Sequence, residues 1–198
     1  MVGSDTPPPP SNKSPKNGKN GGAPPSGDDY GADSFQKLEY PESVRKRPAM
    51  FIGDTDDDAG TALHHLVFEI VDNSVDEAQA GYATRVDVTL HVDGSVTVKD
   101  DGRGIPVEVH TVTGRPTTEM VFCEMSSGAK FDQNAYKVSG GLHGMGAAVT
   151  NALSELLEVE IRRNGHIYRQ TFARGLVTSK VEETGETAER GTTVRFRP

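Results

Sequence analysis

The chain has 198 residues, of which 34% are hydrophobic, and its formal net charge at pH 7 is −8. This length suits one domain with a real core, and so acidic a chain is not expected to hold nucleic acid by phosphate neutralisation alone. The single cysteine, Cys123, excludes an internal disulfide and a cysteine-rich zinc site, and no apolar run reaches the roughly 18 residues that a membrane span needs.

The N-terminal residues 1–28 consist mainly of Pro, Gly, Ser, Asn and Lys. Such a segment buries too little apolar surface to offset its ordering entropy, so we expect a disordered tail. No apolar region follows its lysines, which excludes a signal peptide. Tyr30 is the first large apolar residue after the tail and indicates an arm over residues 29–40. A short helix is predicted for residues 41–47, between two prolines.

A long helical pattern then runs from about Thr61 to Ala80 and has two different faces. Its polar face contains no Lys or Arg, although a solvated stripe usually mixes both signs. Asn is also a poor helix former, so Asn73 in mid-helix suggests a use. Acidic groups around an amide oxygen suit Mg²⁺, so we favour a metal-binding face over a solvated one. The apolar face comprises Leu63, Leu66, Val67, Ile70, Val71, Val75 and Ala78, and the polar face comprises Glu69, Asn73, Asp76 and Glu77.

The remaining elements predict the fold class. Residues 85–92 and 95–99 alternate apolar and polar side chains around Asp93-Gly94, which is a β-hairpin signal. Cys123 lies in a predicted helix and is expected to pack as a small apolar group, as in a reducing cytoplasm. The order predicts an α+β two-layer sandwich, with a mixed, largely antiparallel sheet and helices on one face. The predicted helices are 116–125 and 144–157, and the predicted later strands are 157–163, 166–173, 176–182 and 192–196.

The end of the hairpin carries the pattern Asp100-x-Gly102-x-Gly104. A buried carboxylate at this point would accept a hydrogen bond from the exocyclic amine of adenine and would reject guanine. The glycines would let the backbone approach a base closely. An ordinary turn is the alternative interpretation of this pattern.

A glycine-rich stretch, SGGLHGMG, occupies residues 139–146 ahead of a predicted helix. Backbone N–H groups of such a loop bind anions, so a polyphosphate fits, and Lys130 and Lys137 flank the stretch. The pattern matches neither a Walker A loop nor a Rossmann loop, and a flexible linker is the alternative. If the three segments form one nucleotide site, Asn73, Asp100 and Gly144 must line the same cavity.

Three motifs together resemble those of the GHKL ATPase family, which has the Bergerat fold and includes DNA gyrase, the heat-shock chaperone, mismatch-repair MutL proteins and histidine kinases. They read EIVDNSVDEA, DDGRGIP and VSGGLHGMGAAVTNALS. The flanking VRKRPAMFIGDT and GAKFDQNAYKVSGGLHGMG resemble the B subunits of bacterial type II topoisomerases, namely DNA gyrase and its paralogue topoisomerase IV. The resemblance covers residues 30–198. Met145 and Ala147 replace usual valines and Ala129 a usual glycine.

The resemblance implies that the ligand is ATP with Mg²⁺, and it assigns roles to residues of this chain. Glu69 would be the general base, Asn73 would hold Mg²⁺, and Asp100 would bind the adenine amine with help from Thr192. Tyr30 would reach the nucleotide of a partner subunit. The base pocket would comprise Glu77, Arg103, Gly104, Ile105 and Pro106, and the lid and phosphate loop would comprise Lys130, Tyr136, Lys137, Gly141, Leu142, His143, Gly144, Met145, Gly146 and Ala147.

The resemblance also implies a cytoplasmic type II topoisomerase without a membrane partner. ATP binding would close a dimer of two copies, which clamps DNA for strand passage and negative supercoiling. The ATPase domain would span residues 41–198, and the gyrase A subunit and DNA would be contacted through domains beyond it. In the family that this chain resembles, a second domain after the ATPase domain carries a lysine that contacts the terminal phosphate. We therefore expect this chain alone to hydrolyse ATP slowly. Coumarin-type inhibitors would bind near Asp100 and Arg163. The alternatives are the B subunit of topoisomerase IV and a non-catalytic nucleotide-binding module.

Overall fold

An antiparallel sheet organises this computed structural model, which describes residues 38–56, 60–125 and 144–198. The strands are β1 (Val86–Leu90), β2 (Val96–Asp100), β3 (Leu156–Arg163), β4 (His166–Ala173), β5 (Leu176–Val177), β6 (Glu182–Glu186) and β7 (Gly191–Arg197). Their order across the sheet is β1-β2-β7-β3-β4-β5, and β6 also pairs with β4. Each strand pairing in the described residues is antiparallel.

Five helices accompany the strands in the described ranges. The third helix agrees with the predicted one to within a residue, and the first lies inside the predicted residues 41–47. The second was not predicted. No helix among the described residues combines the length and apolarity that crossing a membrane requires. The helices are α1 (Glu42–Lys46), α2 (Ala49–Ile52), α3 (Thr61–Gln79), α4 (Thr117–Cys123) and α5 (Gly146–Ala152).

The core lies between the helices and one face of the sheet. Alternate residues of a strand point to the same face, so register partners pack side by side. Phe196 is the register partner of Leu157, which in turn pairs with Phe172, and all three are fully buried. The α3 and α5 helices contact the sheet, which confirms the predicted α+β architecture.

Two predicted elements have different bounds in the structure. The predicted helix 144–157 is shorter at both ends and spans Gly146–Ala152, and Leu157 instead lies in β3, where it is fully buried. The predicted strand 176–182 is divided into β5 and the start of β6. Between them, the Ser179 hydroxyl accepts a hydrogen bond from the Thr171 backbone N–H at 2.9 Å. A side chain thus takes the place of a backbone partner, and the strand is interrupted.

The apolar face of α3 is shorter than the pattern predicts. Leu66 and Ile70 are buried, whereas Leu63 is 52% exposed and Ala78 is exposed. The buried positions Ala62, Leu66, Ile70 and Ser74 are four residues apart, so the buried stripe of the helix is rotated from the predicted one. The predicted tail, most of the predicted arm and the glycine-rich stretch as far as His143 lie outside the described residues.

Candidate functional site

A cavity of about 560 Å³ opens between α3, the ends of β2 and β7, α4 and the beginning of α5. Asn73, Asp100 and Gly144 all line it, so the structure brings the three motifs to one place. The residues singled out from the sequence that line it are Glu69, Asn73, Glu77, Asp100, Arg103, Gly104, Ile105, Pro106, Gly144, Gly146, Ala147, Arg163 and Thr192.

Other residues from the sequence prediction fall elsewhere. Met145 is not among the lining residues and packs against the hydrophobic core. Asp76 is 1% exposed and is also not among the lining residues, so the acidic face of α3 does not act as one surface. Seven predicted residues lie outside the described ranges, namely Tyr30, Lys130, Tyr136, Lys137, Gly141, Leu142 and His143.

The α3 wall presents side chains from five positions at helical spacing to the cavity, which are Glu69, Ile70, Asn73, Ser74 and Glu77. The Asn73 amide nitrogen donates a hydrogen bond to the Glu69 backbone oxygen at 3.0 Å. This bond orients the side-chain amide, because its nitrogen then faces the helix backbone and its oxygen faces away from that carbonyl. The Asn73 side-chain oxygen is therefore held in a defined orientation at the cavity wall.

Asp100 is a buried carboxylate of the site and is only 7% exposed. Its Oδ1 accepts hydrogen bonds from the backbone N–H groups of Gly102 at 2.9 Å and Thr192 at 3.2 Å. Its Oδ2 accepts one from the Ser74 hydroxyl at 3.0 Å. Burial raises the pKa of Asp100, and the three donors oppose that rise. The carboxylate is thus held rigidly by a helix, a turn and a strand.

Ser74 is the functional residue that the sequence prediction missed. Serine is a weak helix former, and Ser74 lies one residue after Asn73, so the same reasoning could have found it. Its hydroxyl connects α3 to β2 through Asp100. The other lining residues that were not predicted come mainly from α4 and the sheet, with Ile70 from α3 and His110 from the loop before α4, and most of them are apolar. They are Ile70, Val98, His110, Thr117, Met120, Val121, Phe122 and Val194.

Arg103 borders the cavity and is held by two partners. Its guanidinium forms a bidentate ion pair with Glu77, with distances of 2.7 and 3.0 Å. The guanidinium carbon also lies 3.8 Å from the centre of the Tyr82 ring, which is a cation–π contact. Arg163 donates hydrogen bonds from Nη1 to the backbone oxygens of Arg103 and Gly104, at 3.3 and 3.0 Å. Both arginines therefore shape the backbone around the Asp100 motif.

Close backbone approach explains the glycines of the site. An ideal Cβ added to Gly102 would lie 3.0 Å from Asp100 Oδ1 and 3.1 Å from Glu77 Cβ. A Cβ added to Gly146 would lie 2.8 Å from Glu69 Cβ and would overlap the Glu69 carboxylate. The contacts at Gly146 leave no room for a side chain, whereas those at Gly102 are tight and would need the neighbouring side chains to shift slightly.

The donors at the α3 wall fit Mg²⁺. The Asn73 amide oxygen and the Glu69 carboxylate are hard oxygen ligands that line the same cavity. The described residues contain no group of three or more His, Cys, Asp or Glu side chains that could hold a metal ion. Mg²⁺ usually keeps several waters and binds through one or two protein oxygens together with substrate phosphates, so this sparse donor set suits it.

Comparison with known proteins gives consistent matches. The family model described as "Histidine kinase-, DNA gyrase B-, and HSP90-like ATPase" matches residues 58–198. The B subunit of DNA gyrase from Thermotoga maritima is 54% identical over 169 residues, which cover 85% of this chain and 26% of that protein. The B subunit of DNA topoisomerase 4 from Staphylococcus aureus is 53% identical over 170 residues, covering 85% and 25% of the two chains. The chain thus spans about a quarter of the length of these curated relatives.

A solved structure has the same fold. It is the 43K ATPase domain of Thermus thermophilus gyrase B in complex with an aminocoumarin. The two chains superpose with a TM-score of 0.67 and are 43% identical, and the match covers 79% of this chain and 38% of the other.

Proposed function

Because this chain belongs to the family of histidine kinase-, DNA gyrase B- and HSP90-like ATPases, we propose that its cavity binds and hydrolyses ATP within a bacterial type II topoisomerase, as a gyrase B subunit. The main support for this proposal is that Asp100, a buried carboxylate, lines the same cavity as Asn73 and Gly146. A base-reading group, a metal ligand and a glycine backbone in one cavity match the adenine, the Mg²⁺ and the phosphates of magnesium-bound ATP.

The adenine end of the proposed site is formed by Asp100 with Thr192 and Ser74. A carboxylate accepts the hydrogen bond that the exocyclic amine of adenine donates, whereas the corresponding guanine oxygen would be repelled. Because three neighbours hold Asp100 in place, the acceptor is oriented before the base arrives. Ile105, Pro106 and the Glu77–Arg103 pair complete the proposed base pocket.

The phosphate end of the proposed site is formed by the backbone of residues 144–147 and by the α3 wall. Glu69 is the proposed general base and would take a proton from the attacking water. Asn73 would hold Mg²⁺, which when bound neutralises charge on the phosphates. Lys130, Tyr136, Lys137, Gly141, Leu142 and His143 belong to the same proposal as lid residues.

The proposal for the whole protein extends beyond this chain. ATP binding would close a dimer of two copies, with Tyr30 reaching the partner's nucleotide. The gyrase A subunit and DNA would be contacted by other parts of the longer protein, in the cytoplasm, to drive strand passage and negative supercoiling. Coumarin-type inhibitors would bind near Asp100 and Arg163, since the structural relative was solved with an aminocoumarin.

Two alternatives remain open. The B subunit of topoisomerase IV is favoured by the 53% identity to the Staphylococcus aureus protein, and a supercoiling assay with the matching partner subunit separates it from gyrase. A non-catalytic nucleotide-binding module is the second. Hydrolysis in a protein extended through the next domain separates this module from an enzyme.

The Asp100→Asn variant tests the proposed nucleotide. Replacing the carboxylate by an amide removes a charge-assisted hydrogen bond worth about 1.5–3 kcal/mol, so affinity for a non-hydrolysable ATP analogue with Mg²⁺ is expected to fall roughly 10- to 150-fold. Titration calorimetry measures the dissociation constant of the analogue for the variant and for the unaltered protein. GTP is expected to bind the unaltered protein far more weakly than the ATP analogue.

Asp87→Asn is the matched control, because Asp87 lies on the same β-hairpin but does not line the cavity. Its affinity for the analogue should equal that of the unaltered protein. Equal affinity for ATP and GTP analogues, or an Asp100→Asn variant that binds normally, would refute adenine recognition by Asp100.

A further inference from the structure

Tyr40 does not line the cavity and lies in the segment that leads into α1. Its hydroxyl is 3.0 Å from the Phe122 backbone oxygen in α4 and 3.1 Å from the Ala148 backbone oxygen in α5. The ring is partly buried and packs against the hydrophobic core. One side chain thus contacts two helices that are distant from it along the chain.

Both helices carry walls of the nucleotide cavity. Phe122 itself lines the cavity from α4, and Gly146 and Ala147 line it from α5, immediately before Ala148. Gly146 also touches Glu69, the proposed general base. The separation of α4 and α5 therefore sets the position of the backbone proposed to hold phosphates.

Two further contacts fasten the same helices. The Asn151 amide nitrogen of α5 donates to the Phe122 backbone oxygen at 2.8 Å. Arg45 Nη1 donates to the Ala152 backbone oxygen at 2.8 Å, one helical turn beyond Ala148. The N-terminal segment therefore holds α5 at two successive turns, with Tyr40 at the turn nearer the cavity.

The Tyr40 hydroxyl acts as a hydrogen-bond donor. Burial, followed by the proximity of Cys123, raises the pKa of Tyr40, so the hydroxyl remains protonated in the physiological range. A hydroxyl has one proton, so it donates to one of the two carbonyl oxygens at a time. The ring packs against the hydrophobic core, whereas the hydroxyl makes the hydrogen bonds to α4 and α5.

We propose that Tyr40 is a positioning residue for the phosphate end of the cavity, because its hydroxyl contacts both α4 and α5 although Tyr40 itself does not line the cavity. This inference rests on the proposed function. Asp100, Ser74 and Thr192 belong to other elements, so adenine recognition does not depend on the Tyr40 hydroxyl.

Tyr40→Phe removes only the hydroxyl and therefore tests this role. The two ligands compared are adenosine and a non-hydrolysable ATP analogue with Mg²⁺, with dissociation constants measured by chemical-shift titration and calorimetry. The loss of one hydrogen bond predicts a weaker affinity for the ATP analogue by about two- to tenfold, with unchanged affinity for adenosine. Tyr168→Phe is the matched control, since Tyr168 also packs against the core but does not line the cavity. It should leave both affinities unchanged.

The ratio of the two dissociation constants separates positioning from a merely structural role. A smaller folded fraction lowers the apparent affinities for both ligands by the same factor. Titrations performed below the melting temperature of the variant therefore still give the ratio of the two dissociation constants. A ratio in Tyr40→Phe equal to that of the unaltered protein overturns the role of Tyr40. Failure of the unaltered protein to bind either ligand overturns the proposed function instead.

Discussion

At the scale of single residues, Glu69 and Gly146 depend on each other. Glu69 lies on α3 and Gly146 begins α5, and the carboxylate occupies the space that a Cβ at residue 146 would fill. The glycine is thus required by the neighbouring acid and not only by phosphate binding. The proposed general base can hold its position only while residue 146 lacks a side chain.

Gly146→Ala is expected to displace the Glu69 carboxylate and to impair hydrolysis. In a protein extended through the next domain, Glu69→Ala should retain ATP binding and lower the hydrolysis rate by about 10²–10⁴-fold, the usual contribution of a general base. Gly146→Ala should lower the rate in the same direction, as measured by steady-state phosphate release.

Gly185→Ala is the matched control for the added methyl group. A Cβ at residue 185 would meet only Ile167 Cδ1 within 4 Å, at 3.9 Å, which is an ordinary contact. This variant should hydrolyse ATP at the unaltered rate. If Gly146→Ala also does so, the contact with Glu69 has no catalytic importance.

At the scale of elements, the turn after β2 is tied to the start of β1. The Asp101 carboxylate accepts hydrogen bonds from the Thr84 backbone N–H at 2.7 Å, from the Thr84 hydroxyl at 2.5 Å and from the Arg85 backbone N–H at 2.9 Å. These bonds, led by that of the Thr84 hydroxyl, lower the pKa of Asp101 from 3.8 to about 2. The charged carboxylate thus fastens both ends of the hairpin beside the Asp100 motif.

The Asp101→Asn variant is expected to alter the acid limb of the stability curve. Because the folded pKa is depressed, the stabilisation by Asp101 is present above pH 3.8 and is lost as the pH falls through about 2. The variant should therefore be less stable than the unaltered protein at pH 6, and this difference should shrink as the pH falls from 3.8 towards 2. Urea unfolding across this range measures the difference, with Asp87→Asn as a nearby carboxylate control. A difference that stays constant with pH contradicts the assignment.

At the scale of the whole molecule, one core supports both the sheet and the cavity. Phe172 of β4 is fully buried, and its ring centre lies 5.3 Å from that of Phe122 in α4. Phe122 in turn lines the cavity. The hydrophobic core and the proposed nucleotide site thus share a wall, so packing and binding are coupled.

Phe172→Ala is expected to lower the free energy of unfolding by about 3–5 kcal/mol, as for other buried Phe truncations. Phe68→Ala is the control, because Phe68 is 57% exposed and its truncation should change stability by about 0.5 kcal/mol or less. Denaturant unfolding measures both. Equal losses for the two variants would show that the Phe122–Phe172 contact is not part of a cooperative core.

The sequence predicted local features well because each one depends on neighbouring residues. The period of α3 and the Asp93-Gly94 hairpin signal are local, and the structure has both elements close to their predicted bounds. The interruption between β5 and β6 was not predicted, because it depends on Ser179 contacting Thr171 across the sheet. The position of Ser74 in mid-helix could have been noticed, but its contact with Asp100, which is 26 residues away, could not be predicted from neighbouring residues.

The secondary-structure pattern, the fold class and the three motifs from which a nucleotide site was inferred can be derived from the order of the residues. The packing of distant elements is needed to show that Asn73, Asp100 and Gly144 share one cavity and that Met145 and Asp76 do not line it. The spacing of residues along a helix predicts on which face of the helix each side chain lies. It does not predict which neighbouring surface that side chain contacts. That surface is fixed by packing between elements that are distant in the chain.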